Sequence, residues 1–174
     1  VGLFNKIHQK KLEIVRMRML QGTKANISGK GFEVRIKSQL NRRGHKTIKP
    51  AGYRAMWSSG STKPRNKPDI EFWIGNQLII VECKNQNVAG TADQKGGTEL
   101  YNAAQNIKCD HYILLYGGRW WNAGRGKNLF ISYQKMAADF ARHPHTFMKA
   151  ARNLHVVREA DFDALINKIK KENK

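Results

Sequence analysis

Cysteine is scarce in this chain of 174 residues: Cys83 and Cys109 are the only two. Two thiols do not make a disulfide scaffold, so the fold must come from an apolar core, and the count fits a reducing compartment. Long hydrophobic runs are missing as well. The longest, Leu78 to Val81, is strand-sized and far short of the ~18 apolar residues that a membrane span needs. The start has no secretory pattern, because Val-Gly-Leu-Phe is followed by Lys6, Lys10, Lys11, Arg16 and Arg18. The expectation is therefore a protein that is neither secreted nor membrane-spanning.

Acids are the scarcest class relative to their opposites. There are 13 Asp and Glu against 32 Lys and Arg, a formal charge of +19. Such a surface attracts polyanions, of which nucleic acid is the commonest. An anionic membrane surface is a weaker rival, because no strongly amphipathic basic helix dominates the chain. What is present in ordinary amounts argues for a folded protein: 40% hydrophobic and 26% charged residues. The length fits one domain with a real core.

The placement of the few acids says more than their number. Residues 1–49 hold 13 Lys and Arg but only Glu13 and Glu33. From Val34 to Ala92 eleven basic residues accompany three acids, Asp69, Glu71 and Glu82, all in two adjacent apolar segments. Carboxylates beside a phosphate-binding surface repel the ligand, so something must neutralise them. A divalent cation is the simplest candidate.

Periodicity and breakers give a coarse element map. Residues 5–20 read as a basic helix with Leu12, Val15 and Met19 on one stripe, followed by a glycine-bearing linker over 22–31. A second helix is expected from Ser28 to Arg43, capped by Ser28, carrying Phe32, Ile36 and Leu40 at i, i+4 spacing and ended by Gly44. His45 to Pro50 reads as a short strand, and Tyr53 to Lys67 as a basic loop rich in Ser, Gly and Pro. Strands over Asp69–Ile74 and Gln77–Lys84 come next, then a helix over Asp93–Ile107 and a buried strand over Asp110–Tyr116. A glycine-rich basic loop is expected from Gly117 to Lys127, and a short strand from Leu129 to Tyr133. Helices near Gln134–Ala141 and Glu159–Lys171 flank a strand at His155–Arg158. The order is that of a mixed α/β domain. Residues 1–27 are expected to form a basic helical arm, and 28–174 a single domain.

Gly75-Asn76 is a two-residue hairpin signal, and such a loop fixes register. Pairing Ile74 with Gln77 then pairs Trp73 with Leu78, Phe72 with Ile79, Glu71 with Ile80, Ile70 with Val81 and Asp69 with Glu82. Alternation puts Ile70, Phe72, Ile74, Ile79, Val81 and Cys83 on one apolar face. Glu71, Trp73, Leu78, Ile80, Glu82 and Lys84 share the other with Asp69. Directly opposed Asp69 and Glu82 would have Cβ atoms roughly 4.5–5.5 Å apart. Like charges so placed repel unless a proton or cation relieves them. Hard oxygen ligands of this kind suit Mg²⁺. Lys84, on the same side, can hold or help deprotonate a water or stabilise charge on a phosphate. A solvated Lys84–carboxylate ion pair is the bland alternative, and it leaves the clustering of the acids unexplained.

Pro68-Asp69, a 12-residue gap and Glu82-Cys83-Lys84 together resemble the PD-(D/E)xK nuclease signature. That superfamily includes restriction endonucleases, Holliday junction resolvases and repair nucleases. Glu33, after Gly29-Lys30-Gly31-Phe32, resembles the extra acid that many members carry on their first core helix. The resemblance spans roughly Gly29 to Tyr116. It implies a restriction-endonuclease-like core, a mixed central β-sheet flanked by helices. It also implies Mg²⁺ (with Mn²⁺ as a substitute) on Asp69, Glu82 and the peptide carbonyl of Cys83, with Lys84 as the catalytic lysine. Glu33 could bind the metal directly or through water, or simply pair with Lys37 on the helix surface. Glu71 is a weaker candidate on the same face. Gln86 and the run Gly90 to Lys95 look like a segment of restriction-type members whose helix can present Lys95, with Gln94 as a second candidate, to the DNA backbone.

Smaller signals complete the reading. Arg119, Trp120, Arg125 and Lys127, with Trp121, combine cations, stacking surface and flexible backbone, a pattern that can grip DNA or pack a Trp under the loop. It is not a phosphate-binding P-loop, since Trp121 and Asn128 stand where Gly and Ser/Thr are required. Cys109, His111, His143 and His145 lack zinc spacing. The expected function is a Mg²⁺-dependent DNA endonuclease of restriction type, acting in the cytoplasm on double-stranded or branched DNA, with a homodimer as a candidate assembly. A junction resolvase of the same fold is the enzymatic alternative, with Ser58-Ser59-Gly60 loosely similar to the serine-bearing loop of archaeal resolvases. A non-catalytic nucleic-acid-binding module is the alternative from another class.

Overall fold

The computed structural model describes residues 28–50, 67–89, 95–143 and 151–173. The proposed basic arm over 1–27, most of the 53–67 loop, the Gly90–Gln94 stretch and His145 lie outside the described residues. Helix α1 covers residues 28–42. Its stripe of Phe32, Ile36 and Leu40 is buried, and Gly44, at φ +82, takes the left-handed conformation that ends it. The His45 amide then reaches back to the Leu40 carbonyl at 3.0 Å. Ser28 does more than open the helix, because its carbonyl and hydroxyl both accept from Asn85 Nδ2, at 3.2 and 2.7 Å.

Five strands form one mixed sheet in sequence order: β1 (Thr47–Ile48), β2 (Ile70–Ile74), β3 (Gln77–Asn85), β4 (Cys109–Gly117) and β5 (Ala151–Arg158). The first three are antiparallel, whereas β3, β4 and β5 run parallel. Parallel neighbours need crossovers, and helices α2 (Gly96–Asn106) and α3 (Gly124–Arg142) supply them. Both cover the same sheet face, as the common hand of parallel crossovers requires when strands are added in one direction. There Leu100, Ala103, Phe130 and Tyr133 pack on Ile80, Tyr112 and Leu114. Helix α4 (Glu159–Glu172) returns to the opposite face beside α1. On that side Phe32, Ile36, Phe162 and Ile166 pack on Ile70, Phe72, Ile79 and Val81. Arg35 donates to Glu159 through Nε and Nη2, at 2.9 and 3.0 Å, tying the two helices together at their rim.

The hairpin register runs as expected from Ile74–Gln77 to Ile70–Val81. Two expectations fail between β4 and β5. The loop over Gly117–Lys127 is instead a short 3-10 turn (Arg119–Asn122) followed directly by α3. The expected strand at Leu129–Tyr133 lies inside that helix. Gly126, Phe130, Tyr133, Ala137 and Phe140 are its buried positions, spaced by four and three, and this period outweighs the local β-propensity of Phe130-Ile131. No helix among the described residues is long and apolar enough to cross a membrane.

At the end of the sheet away from the Glu82 carboxylate, polar side chains form a chain. His155 Nε2 lies 2.9 Å from His111 Nδ1, and His111 Nε2 lies 3.0 Å from Gln77 Oε1, which also accepts from Asn173 Nδ2 at 2.6 Å. Asn173 marks Gln77 Oε1 as an acceptor, so His111 donates to it through Nε2; with both rings neutral, His111 Nδ1 then accepts from His155 Nε2–H. Burial, with the neighbouring His111 and Lys168, pulls His155 down to about 4. Burial also lowers His111, against the pull of Asp110 and Glu172. Groups depressed in the fold take up protons more readily when unfolded, so their contribution is intact above ~6.5 and is lost as pH falls toward 4. For His155 that loss is about 3 kcal/mol. Urea titrations from pH 7 to 4 should show wild type losing more stability than His155→Gln; parallel curves would refute a buried neutral pair.

Candidate active site

The carboxylate cluster gathers at the carboxyl end of β3, where three elements converge. β3 itself contributes Glu82 and Lys84, which alternate onto the face covered by α2, while Cys83 turns toward the other core. Asp69 precedes β2, so the ladder ends at Ile70–Val81 and the expected cross-strand pair of Asp69 with Glu82 is not part of it. The two strands are joined there differently: Asp69 Oδ2 accepts the Cys83 amide N–H at 2.7 Å. This bond holds the carboxylate against the β3 backbone and leaves its other oxygen outside that bond.

Lys84 Nζ donates to Glu82 Oε1 at 2.7 Å and to Glu99 Oε1 at 3.2 Å. All three side chains are largely withdrawn from water, at 11%, 12% and 19% exposure. The pair is therefore not the solvated surface ion pair of the bland alternative. Glu82 Oε2 is buried and has no hydrogen-bond partner among the described residues. A charged oxygen in that condition costs several kcal/mol unless a proton or cation meets it. The titration behaviour agrees. Burial, reinforced by Asp69 and Glu99 and opposed by Lys84, pushes Glu82 up to about 7. Burial likewise raises Asp69, against the Cys83 amide and Lys84, with Glu33 and Glu99 adding to the rise. For Lys84, burial alone would lower the ammonium, but Glu82 and Glu99 outweigh it and hold it above its ordinary value.

Glu33 lies on α1 and forms an ion pair with Lys37 one turn on. Its charge nevertheless reaches Asp69 and Cys83, raising both. Asn85 explains the proximity, since its bonds to Ser28 dock the start of α1 on the end of β3. Glu71 is buried on β2. Gln86 follows β3 and is buried at 8% exposure, with both side-chain amide atoms lacking hydrogen-bond partners among the described residues. Its backbone is fixed, however: the amide donates to the Gly117 carbonyl at 2.9 Å, and the carbonyl accepts from Trp120 at 3.1 Å.

The remaining DNA-facing candidates are dispersed along this end of the sheet. Lys95 is exposed at the turn into α2, and Arg119 is exposed on the 3-10 turn. The Arg119 amide donates to Asn87 Oδ1 at 3.1 Å. Arg125 and Lys127 are exposed in the first turn of α3 rather than on a loop. Trp120 is partly buried against the core, and Trp121 fully so, its ring 4.2 Å from that of Tyr116. Packing therefore claims Trp121. The residue missed from sequence is Glu99. The one signal for it was its isolation, as the only charged residue in Gly96–Asn106.

Among the described residues no group of three or more His, Cys, Asp and Glu is arranged to hold an ion by itself. Mg²⁺ does not ask for one, because it takes one or two carboxylates and keeps several waters. The donors fit that habit: hard oxygens of Asp69 and Glu82, one of the latter buried and unpaired. A family model for the PD-(D/E)XK nuclease superfamily domain matches residues 24–169. No curated protein and no solved structure matches the chain.

Proposed function

The chain belongs to the PD-(D/E)XK nuclease superfamily and is accordingly a nuclease, and from that premise we propose that it is a divalent-metal-dependent DNA endonuclease of restriction type. The observation that carries this reading is the largely buried side-chain cluster of Glu82 and Lys84 with partly buried Asp69, in which Glu82 offers Lys84 one oxygen and keeps the other, among the described residues, unpaired. Asp69, Glu82 and the Cys83 carbonyl would hold Mg²⁺, or Mn²⁺ in its place, with Glu33 joining directly or through water. When bound, the metal supplies an acidified water and draws charge from the phosphate. The protein's own part is then positional. Asp69 is locked by the Cys83 amide, and Lys84 is held as an ammonium that can orient the attacking water or face the phosphate's developing charge.

A net charge of +19 supplies long-range attraction for the DNA backbone. Lys95, Arg119, Arg125 and Lys127 are the cations at this end of the sheet that would contact phosphates. Trp120 would flank them, with Gln86, buried here just past the end of β3, as a further candidate contact. Residues 28–174 are taken as the single nuclease domain and 1–27 as a basic arm. One site per chain makes a homodimer the natural arrangement for cutting both strands.

The test is incubation of purified protein with supercoiled plasmid and with a synthetic four-way junction, in Mg²⁺ or in EDTA. The expected result is discrete plasmid fragments with Mg²⁺ and none with EDTA. Cleavage confined to the junction would replace the restriction reading with the resolvase. Retained binding with no cleavage of either substrate would leave a nucleic-acid-binding module. Cleavage that persists in EDTA would overturn the metal assignment.

A further inference from the structure

Glu99 takes no part in the reading above, yet it touches the site's lysine. It comes from α2, an element separate from the hairpin that carries Asp69, Glu82 and Lys84. Its own amide donates to the Lys95 carbonyl at 3.0 Å, within the helix's first turn. An acid in a first turn is also favoured by the helix dipole, and the Lys84 contact holds its carboxylate at the site. Buried ion pairs are poor sources of stability, since desolvation offsets most of their attraction. A third buried charge added to such a pair therefore calls for another explanation.

We propose that Glu99 is a positioning residue of the nuclease site, holding the Lys84 ammonium in place from a second element beside Glu82. The need for it follows from the geometry. Lys84 leans on Glu82 Oε1 at 2.7 Å, but Glu82 is also a proposed ligand for a dication. A cation on that carboxylate repels the ammonium and weakens its hold. Glu99 Oε1, at 3.2 Å, is a second anchor on a different element that the dication does not share. Lys84 thus keeps its place when the site is loaded. Formally, Asp69, Glu82 and Glu99 against Lys84 leave two negative charges, which one dication neutralises.

The test uses the full chain, supercoiled plasmid and Mg²⁺, comparing Glu99→Gln and Glu99→Ala. The inference rests on Lys84 being the catalytic lysine, so Lys84→Met is run alongside. Loss of the Lys84 contact should lower the single-turnover rate at saturating protein by roughly 10–100-fold in Glu99→Ala. The half-saturating protein concentration should stay within about twofold, and Glu99→Gln, which keeps an acceptor, should fall in between. The second readout is the Lys84 ammonium resonance in ¹H–¹⁵N spectra. It should be visible in wild type and Glu99→Gln and exchange-broadened in Glu99→Ala.

Wild-type rates in Glu99→Ala, with Lys84→Met inactive, would overturn the role of Glu99 alone. A lowered rate that tracks a lowered melting temperature, with the resonance unchanged, would make Glu99 merely structural and also overturn it. So would a large shift in Mg²⁺ half-saturation with an unchanged resonance, which would make Glu99 a metal ligand. Full activity in Lys84→Met would instead sink the assignment of the lysine itself.

Discussion

Lys84→Met and Asp69→Asn should each lower plasmid cleavage by more than about 10³-fold while duplex binding stays within about threefold. Both substitutions keep the size of the side chain, and this matters because both sites are packed. Asp69 Oδ2 accepts the Cys83 amide at 2.7 Å. Asp69→Ala would orphan that partly buried N–H and add about 1–3 kcal/mol of instability to the loss of the carboxylate. Asn keeps an acceptor and removes only the charge. Lys84→Met keeps the aliphatic stem but leaves Glu82 and Glu99 facing each other without a cation. Binding survives in either variant because the phosphate attraction comes from the charge of the whole chain, which carries 32 Lys and Arg. Removing one carboxylate should even tighten the hold on DNA slightly. Rates and filter-binding curves at one salt concentration decide the matter. Full cleavage by either variant would move the chemistry away from this cluster.

How much of this was written legibly in the chain depended on whether the signal was local. The hairpin was, because a two-residue turn sets register and every later pair follows from it; Ile70 through Ile74 pair as counted. Helix α1 was too, with a stripe at i, i+4 and a glycine stop. Asp69 was half legible. Counting put it opposite Glu82, but the ladder closes one residue earlier, and its carboxylate bonds the Cys83 amide instead. The start of α3 was not legible, because Gly117-Gly118 and Gly124 read as loop while the burial period that defines the helix only emerges from Gly126 onward. Glu99 was least legible of all. It lies fifteen positions beyond Lys84, and only the crossover of α2 over the β3 face brings them to 3.2 Å. Nothing in sequence spacing encodes that distance, whereas parallel topology does.

Gly118→Ala should be the most damaging single-methyl change near the site, lowering stability by about 3–5 kcal/mol and cleavage with it. Two costs add there. Gly118 sits at φ +91 and ψ 160, a region that essentially only glycine enters. A methyl group would also meet the Gln86 carbonyl oxygen at 2.3 Å and its carbon at 2.7 Å. Neither contact is with a flexible side-chain tip, so the backbone itself must shift. The affected backbone joins the ends of β3 and β4: Gln86 N–H to the Gly117 carbonyl, and Trp120 N–H to the Gln86 carbonyl. Lys84 lies on β3 two residues before Gln86, so displacement there moves the lysine relative to Glu99. Gly44→Ala is the control that separates strain from collision. Its φ is +82, yet a methyl group would meet nothing within 4 Å, so its cost should be only about 1 kcal/mol. Denaturant melts of the two variants, with cleavage measured well below each midpoint, test the idea. If Gly118→Ala costs no more than Gly44→Ala, the close approach at Gln86 is not what holds the carboxyl ends of β3 and β4 together. If it is destabilised but cuts plasmid normally when folded, the placement of Lys84 does not depend on that junction.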